Sequence, residues 1–157
     1  AFMWGFRLGF LTFGAKGLHA EAAQVLEVKL ASAIRAQVSN VSHLGQSILL
    51  KTITSPDFSK QQQEKVKILQ ERYAAVKECL AKNKYDELWH VYPFNSGYFM
   101  CIKLKNGNAE ELRLKLLNEF GIGVIAAGEQ DIRIAFSCLE KQDVPLLFAG
   151  LAQAIMG

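Results

Sequence analysis

The spacing of apolar residues along the first part of the chain predicts one strand followed by two helices. Residues 4–13 are almost continuously apolar and aromatic, which predicts a strand that ends at a glycine-containing turn. Residues 18–38 carry apolar side chains at helical spacing, and this pattern predicts a helix with a broad buried face. Residues 46–53 predict a second, shorter helix after a polar turn.

A long third helix is predicted after Ser55-Pro56. Serine favours the N-cap position and proline favours the first helical position, so this dipeptide is typical of a helix start. The helix is predicted to end near Lys82-Asn83. Its apolar positions step by three and four residues and form one stripe: Val66, Leu69, Tyr73, Val76 and Leu80.

The rest of the chain predicts strands that are interspersed with helices. Strand residues are predicted over 89–104, with an interruption at 93–97, and a helix over 109–120 that stops at Gly121. Two short strands at 124–125 and 132–136 and a helix over 141–155 follow. This order predicts an α/β (α+β) fold in which helices cover one antiparallel or mixed sheet.

Composition and charge exclude several classes of protein. The chain has 157 residues, of which 50% are hydrophobic and 21% charged, a composition typical of a globular domain. A net charge of +3, spread along the helices, does not indicate nucleic-acid binding. The apolar start is too short to span a membrane. The cysteines and histidines have neither disulfide nor metal spacing, and we expect a cytoplasmic protein that binds no metal.

Arg7 is the first candidate for a binding residue. In the predicted strand it lies on the same face as Gly5 and Gly9, which leave space around its side chain. A guanidinium in such a space can bind a phosphate through two parallel hydrogen bonds. The alternative is an arginine in a surface ion pair.

Arg133 is the second candidate. Alternation along its predicted strand places it beside the small residues Ala135 and Ser137, which leave room for a planar ligand. The alternative is an ion pair with Glu129 or Asp131.

Three segments together resemble one enzyme family: Trp4-Gly5-Phe6-Arg7-Leu8-Gly9-Phe10, Asn95-Ser96-Gly97-Tyr98-Phe99 and Ile132-Arg133-Ile134-Ala135-Phe136-Ser137. In this order they resemble the C-terminal part of a pyridoxal-phosphate-dependent aminotransferase of fold type I, class I/II. The resemblance implies pyridoxal 5'-phosphate as cofactor, amino-acid and 2-oxo-acid substrates, and a homodimer. It also implies that residues 1–40 belong to the large cofactor-binding domain and connecting helix, and that residues 41–157 form the small C-terminal domain.

The resemblance also implies roles for individual residues. Arg7 would bind the cofactor phosphate and Arg133 the α-carboxylate of the substrate, while Asn95 and Phe99 would line the substrate site. For the segment of Asn95 and Phe99, a plain strand entering the core is the alternative. Ser47 falls in a loop that reaches the neighbouring subunit's active site, at a position where aspartate-type members carry an arginine. A neutral, apolar or aromatic amino donor is therefore expected.

The cofactor-bonding lysine of this family precedes the phosphate-binding arginine by more residues than precede Arg7 here. Lys16 follows Arg7 and does not match that position. We therefore expect a chain that begins within the fold and that, on its own, is inactive and forms no Schiff base with the cofactor. The alternative from a different class is a non-catalytic oligomerisation or effector-sensing module that keeps the aminotransferase fold.

Overall fold

The computed structural model describes residues 4–81, 84–95 and 97–157. The chain divides into two units, one extending to Gln62 and the other from Gln63 to Gly157. The expected end of the third helix at Lys82-Asn83 lies outside the described residues. The helices are α1 Ala20–Gln37, α2 His43–Ile53, α3 Phe58–Leu80, α4 Ala109–Phe120 and α5 Val144–Met156, and the strands are β1 Trp89–Val91, β2 Met100–Leu104, β3 Ile125–Ala126 and β4 Asp131–Ile134.

The strand predicted over residues 4–13 is wrong. None of residues 4–81 lies in a strand, and the segment begins instead with a 3-10 helix at Trp4–Phe6. A strand is stable only when a neighbouring strand pairs with its backbone, and glycines weaken it further. The side chain of Phe10 is accordingly 80% exposed.

The helices of the first unit form where the sequence predicts them, but α1 does not have the expected buried face. None of its residues is buried, and Val25, Val28 and Ile34 are exposed. The apolar spacing therefore predicted the helix correctly, but its prediction of a buried face was wrong.

Helix α2 begins at His43, three residues before the predicted start, because Ser42 caps it. The Ser42 hydroxyl accepts a hydrogen bond from the Gly45 amide at 3.2 Å. A Cβ atom at Gly45 would lie 3.1 Å from Leu8 Cδ1, so the Leu8 side chain would have to shift by a few tenths of an ångström to accommodate a larger residue. Glycine at position 45 therefore lets the Leu8 side chain pack closely against the first turn of α2.

Helix α3 begins two residues after its predicted proline. The Ser55 side chain accepts from the Asp57 amide at 3.3 Å, and the helix itself starts at Phe58. Ser55-Pro56 therefore forms the turn before the helix and not its first residues.

The second unit contains a four-stranded sheet of order β1-β2-β4-β3 in which every pair is antiparallel. This confirms the expected α/β fold with helices on a small antiparallel sheet. Strand β4 ends at Ile134, and Phe136, predicted as its continuation, lies in a 3-10 helix, Phe136–Cys138. Strand β4 is an inner strand, so both of its edges are hydrogen-bonded.

One face of this sheet packs on the core and the other does not. Residues Ile102, Ile132 and Ile134 are buried with the inner faces of α4 and α5. Since side chains alternate along a strand, Arg133 and Asp131 lie on the opposite face. Among the described residues, the largest fully buried side chains include Phe136, Phe148, Met100, Ile102, Leu116, Ile132, Ile134 and Leu151.

Helix α4 has the predicted bounds because both of its ends are capped. Asn108 accepts hydrogen bonds from the Glu110 and Glu111 amides, and Gly121 ends the helix at φ 64°. The expected helix over 109–120 is confirmed.

We expect Gly121→Ala to lower the free energy of unfolding by about 1 kcal/mol, because alanine is disfavoured at positive φ. Nothing lies within 4 Å of the position of the added Cβ atom, so the effect isolates backbone conformation. Gly123→Ala is the matched control, since that site is equally open and lacks a positive φ. Urea unfolding of both variants measures the difference, and equal values for the two would contradict the prediction.

Candidate functional site

Arg133 lies on the sheet face that does not pack on the core, on inner strand β4. Its neighbours along the strand, Ile132 and Ile134, are buried on the other side. The Arg133 Nε atom is itself buried and has no hydrogen-bond partner among the described residues. Buried donors in proteins are nearly always hydrogen-bonded, so this atom marks a place where a partner is expected.

Phe99 covers the Arg133 guanidinium. The guanidinium carbon of Arg133 lies 4.8 Å from the centre of the Phe99 ring, a cation–π arrangement. Cys101, two residues further along β2, is paired with Arg133 in register, and this pairing brings the Phe99 segment alongside β4. Two of the residues that the sequence assigned to the substrate site are therefore in contact.

The ion pair proposed as an alternative for Arg133 is not present among the residues that the structure describes. Asp131 instead accepts a hydrogen bond from the Tyr92 hydroxyl, with 2.8 Å between Oη and Oδ1. This hydrogen bond, with smaller contributions from burial and from the Asp131 and Cys101 charges, raises the pKa of the Tyr92 phenol. Sequence reasoning did not identify Tyr92, because only the strand register brings it to this face.

The loop between β1 and β2 holds Asn95. Asn95 and Gly97 are exposed, and Gly97 has φ 94°, which favours glycine; Ser96 lies outside the described residues. The Tyr98 carbonyl accepts from the Ser137 amide at 3.3 Å and so holds the end of the loop next to the 3-10 helix after β4. Asn95 thus belongs to the same loop that leads to Phe99.

Arg7 and Ser47 line one cavity in the first unit, of about 530 Å³. Arg7 follows the 3-10 helix with φ 53° and is exposed, so it does not project from a strand as predicted. Arginine rarely adopts this left-handed conformation, which costs about 1 kcal/mol. The other lining residues are His43 and Gln46 with apolar neighbours Leu8, Gly9, Phe10, Val41, Leu49, Leu50 and Ile53.

A second cavity, of about 730 Å³, lies in the other unit and was not predicted. Its lining includes Lys77, His90 and Lys105, and the Lys77 ammonium lies 5.1 Å from the centre of the Phe94 ring. The sequence could not predict this cation–π contact, because Lys77 in α3 and Phe94 after β1 are distant along the chain and meet only in the folded structure.

Other classes of site are not found in the part of the chain that the structure describes. No group of three or more His, Cys, Asp or Glu side chains could hold a metal ion there. Cys79, Cys101 and Cys138 form no disulfide. Among the same residues no helix has both the length and the apolar character needed to cross a membrane.

Known structures share this fold. The α-aminoadipate aminotransferase LysN of Thermus thermophilus, complexed with N-(5'-phosphopyridoxyl)-L-leucine, is 22% identical with a TM-score of 0.68, over 88% of this chain and 36% of its own. An aminotransferase of Anaerococcus prevotii is also 22% identical, with a TM-score of 0.67 over 88% and 33% of the two chains. The kynurenine aminotransferase of Pyrococcus horikoshii is 14% identical, with a TM-score of 0.67 over 86% and 35%.

The fold is therefore that of part of an aminotransferase, and the chain spans about a third of the length of these proteins. Residues 3–151 match the family model for aminotransferase class I and II. The chain belongs to this family. A search of the curated proteins gave no match.

The cavity of Arg7 fits the phosphate end of the cofactor that this family implies. The Arg7 guanidinium and the Gln46 side-chain amide are hydrogen-bond donors, and Arg7 adds the positive charge that a phosphate requires. The apolar lining suits a planar ring. The donor set is consistent with pyridoxal 5'-phosphate.

Proposed function

We propose that this chain serves in the transfer of an amino group from an amino acid to a 2-oxo acid by a pyridoxal-phosphate-dependent aminotransferase. The observation that carries the proposal is the half-buried Arg133, whose Nε lacks a partner among the described residues while its guanidinium stacks on Phe99. Membership of the aminotransferase class I and II family supports it.

Arg133 binds the α-carboxylate of the substrate in this proposal. A guanidinium and a carboxylate form two parallel hydrogen bonds that fix both the position and the plane of the ligand. Phe99 restrains the guanidinium from one side, and the substrate side chain lies against the exposed part of the same ring. Asn95, in the loop that leads to Phe99, supplies a polar side chain to the edge of the site.

Arg7 binds the cofactor phosphate, with the Gln46 side-chain amide of the same cavity as an additional donor. When bound, the cofactor supplies the electron-withdrawing ring on which the amino group is carried between substrates. The part of these residues is to hold the phosphate end in one place, so that the reacting atoms meet in a fixed orientation. In the homodimer that we propose, Ser47 faces the neighbouring subunit's site.

The amino donor in this proposal is neutral, with an apolar or aromatic side chain. Ser47 cannot neutralise a second carboxylate, whereas the Phe99 ring offers apolar surface beside Arg133. We also propose a cytoplasmic location, because the three cysteines are widely spaced and form no disulfide among the described residues, as expected in a reducing compartment.

The test follows labelled nitrogen through the reaction. The natural polypeptide that contains these 157 residues is supplied with pyridoxal phosphate, a 2-oxo acid and either ¹⁵N-leucine, ¹⁵N-phenylalanine or ¹⁵N-aspartate. Mass spectrometry is expected to find ¹⁵N in the new amino acid with leucine or phenylalanine, and much less with aspartate. Reactions without cofactor are the control.

The possible outcomes separate the two parts of the proposal. A protein that holds the cofactor and transfers nitrogen from none of the donors would overturn the aminotransferase function. Transfer from aspartate as fast as from leucine would overturn only the assignment of the donor class.

A further inference from the structure

A row of side chains crosses the exposed face of the sheet and ends at Tyr92. The Tyr92 amide donates to the Cys101 carbonyl at 3.1 Å, which continues the β1–β2 register by one pair. Cys101 in turn is paired with Arg133 in β4. Residues opposite one another in an antiparallel sheet project from the same face. Tyr92, Cys101 and Arg133 therefore share one face.

Asp131 shares that face, because it lies two residues before Arg133 in the same strand. Residues two apart in a strand are about 7 Å apart, well within reach of an arginine side chain. An unoccupied Asp131 carboxylate would thus be a direct competitor for the Arg133 guanidinium. Lys103 is paired with Asp131 in register, but no ion pair between the two is found among the described residues.

The Tyr92 hydroxyl is the hydrogen-bond partner that the Asp131 side chain has in the described part of the chain. It crosses from the edge of the sheet to donate to Asp131 Oδ1 at 2.8 Å, while the Arg133 Nε is left without a partner in the described part of the chain. Tyr92 is 41% exposed, so its ring is not held there by burial in the core. The hydrogen bond is the contact that gives its hydroxyl a definite position.

We propose that Tyr92 is a positioning residue for carboxylate recognition: its hydroxyl holds Asp131 and leaves the Arg133 guanidinium available to a monocarboxylate ligand. This inference rests on the proposed role of Arg133 and adds to it a residue that does not touch the ligand. It also assigns Asp131 a defined state, bound to a tyrosine and not to the arginine beside it.

The first experiment observes Arg133 directly in the 157-residue chain labelled with ¹⁵N-arginine. The Nε–Hε resonance of Arg133 is identified by its loss in Arg133→Lys. In Tyr92→Phe, the freed Asp131 is expected to pair with Arg133 and move this resonance in the absence of any ligand. The dissociation constant for 3-phenylpropionate, titrated on the same resonance, is expected to rise about fivefold, the size of competition from one partly exposed ion pair.

The second experiment removes the competitor. Tyr92→Phe with Asp131→Asn is expected to return both the free resonance and the dissociation constant to wild-type values, which a merely structural role of Tyr92 would not do. Tyr73→Phe, which removes a tyrosine hydroxyl on α3, is the control and is expected to change neither. The neutral 3-phenylpropanamide shows whether binding requires the carboxylate.

Each result decides a different point. Absence of carboxylate-dependent binding at Arg133 in the wild type would overturn the proposed role of Arg133. Binding in the wild type together with an unchanged resonance and affinity in Tyr92→Phe would overturn the inference on Tyr92 and leave the role of Arg133 standing. Failure of the double variant to restore affinity would show that Tyr92 acts through something other than Asp131, which also overturns the inference.

Discussion

Replacement of Arg133 by methionine is expected to lower kcat/KM for the amino donor by about 100- to 10,000-fold. The variant keeps an unbranched apolar stem and loses two charge-assisted hydrogen bonds to the carboxylate, and each such bond contributes about 1.5–3 kcal/mol. Steady-state kinetics on the natural polypeptide that contains the chain measure the loss as transition-state stabilisation. Arg133→Lys keeps the charge without the planar fork and is expected to fall between methionine and wild type.

Arg133→Met is expected to leave the free energy of unfolding unchanged or to raise it. A buried donor without a partner costs about 1–3 kcal/mol, and methionine removes that donor from β4. Loss of activity combined with undiminished stability distinguishes a binding residue from one that supports the fold. A clear loss of stability in urea unfolding would contradict this interpretation.

Arg113→Met is the matched control for Arg133. Arg113 lies on the exposed side of α4 and binds the Glu110 carboxylate, with Nη2 and Oε1 2.6 Å apart. Water screens an exposed pair of this kind, so its loss has little effect on stability. We expect unchanged kcat/KM for this variant, and a loss comparable to that of Arg133→Met would show that any arginine substitution disturbs the enzyme.

Replacement of Phe148 by alanine is expected to lower the free energy of unfolding of the second unit by about 3–5 kcal/mol. Phe148 is 0% exposed and lies against Tyr85 and Trp89, with 6.3 Å between ring centres in both cases. The lost stability has two sources: less apolar surface is buried on folding, and a cavity remains in the core beside α5. A loss of this size is a large part of the about 5–15 kcal/mol typical of whole domains.

Urea unfolding followed by tryptophan fluorescence measures this loss. In a Trp4→Phe background Trp89 is the only tryptophan, and it reports directly on the Phe148 environment. Leu146→Ala is the control on the same helix, since Leu146 is 68% exposed, and it is expected to change stability by no more than about 0.5 kcal/mol. Equal effects of the two substitutions would contradict the assignment of the core.

Local signals were enough to predict most elements of the second unit, although not the end of β4 before Phe136. The bounds of α4 follow from Asn108 and Gly121, which act on adjacent backbone atoms. The alternation of Ile132, Arg133 and Ile134 indicated which face of β4 is buried, because side-chain direction in a strand depends only on position. Neither inference needed knowledge of distant residues.

The predicted strand over residues 4–13 failed for the opposite reason. Whether an apolar segment becomes a strand depends on a partner elsewhere in the chain, and composition cannot supply that information. The same limit applies to α1, whose apolar stripe gave the helix but not a buried face.

The candidate site likewise contains residues that the sequence could predict and contacts that it could not. Arg133 and Phe99 could be named from the sequence through the resemblance of short segments to a known family, and the structure places them in contact. The hydrogen bond between Tyr92 and Asp131 joins residues 39 positions apart across three strands, so it depends on register that the sequence does not display. The assigned roles of Arg7, Asn95 and Ser47 stay predictions.

The stacking of Arg133 on Phe99 has a consequence for the entropy of ligand binding. A free arginine side chain has about 2 kcal/mol of rotamer entropy, most of which is lost when the guanidinium is fixed on an anion. Here the aromatic ring on one side and the burial of Nε already restrict the side chain before any ligand arrives. Folding has therefore partly ordered the arginine in advance, and in the proposed role a carboxylate would lose less of this entropy on binding.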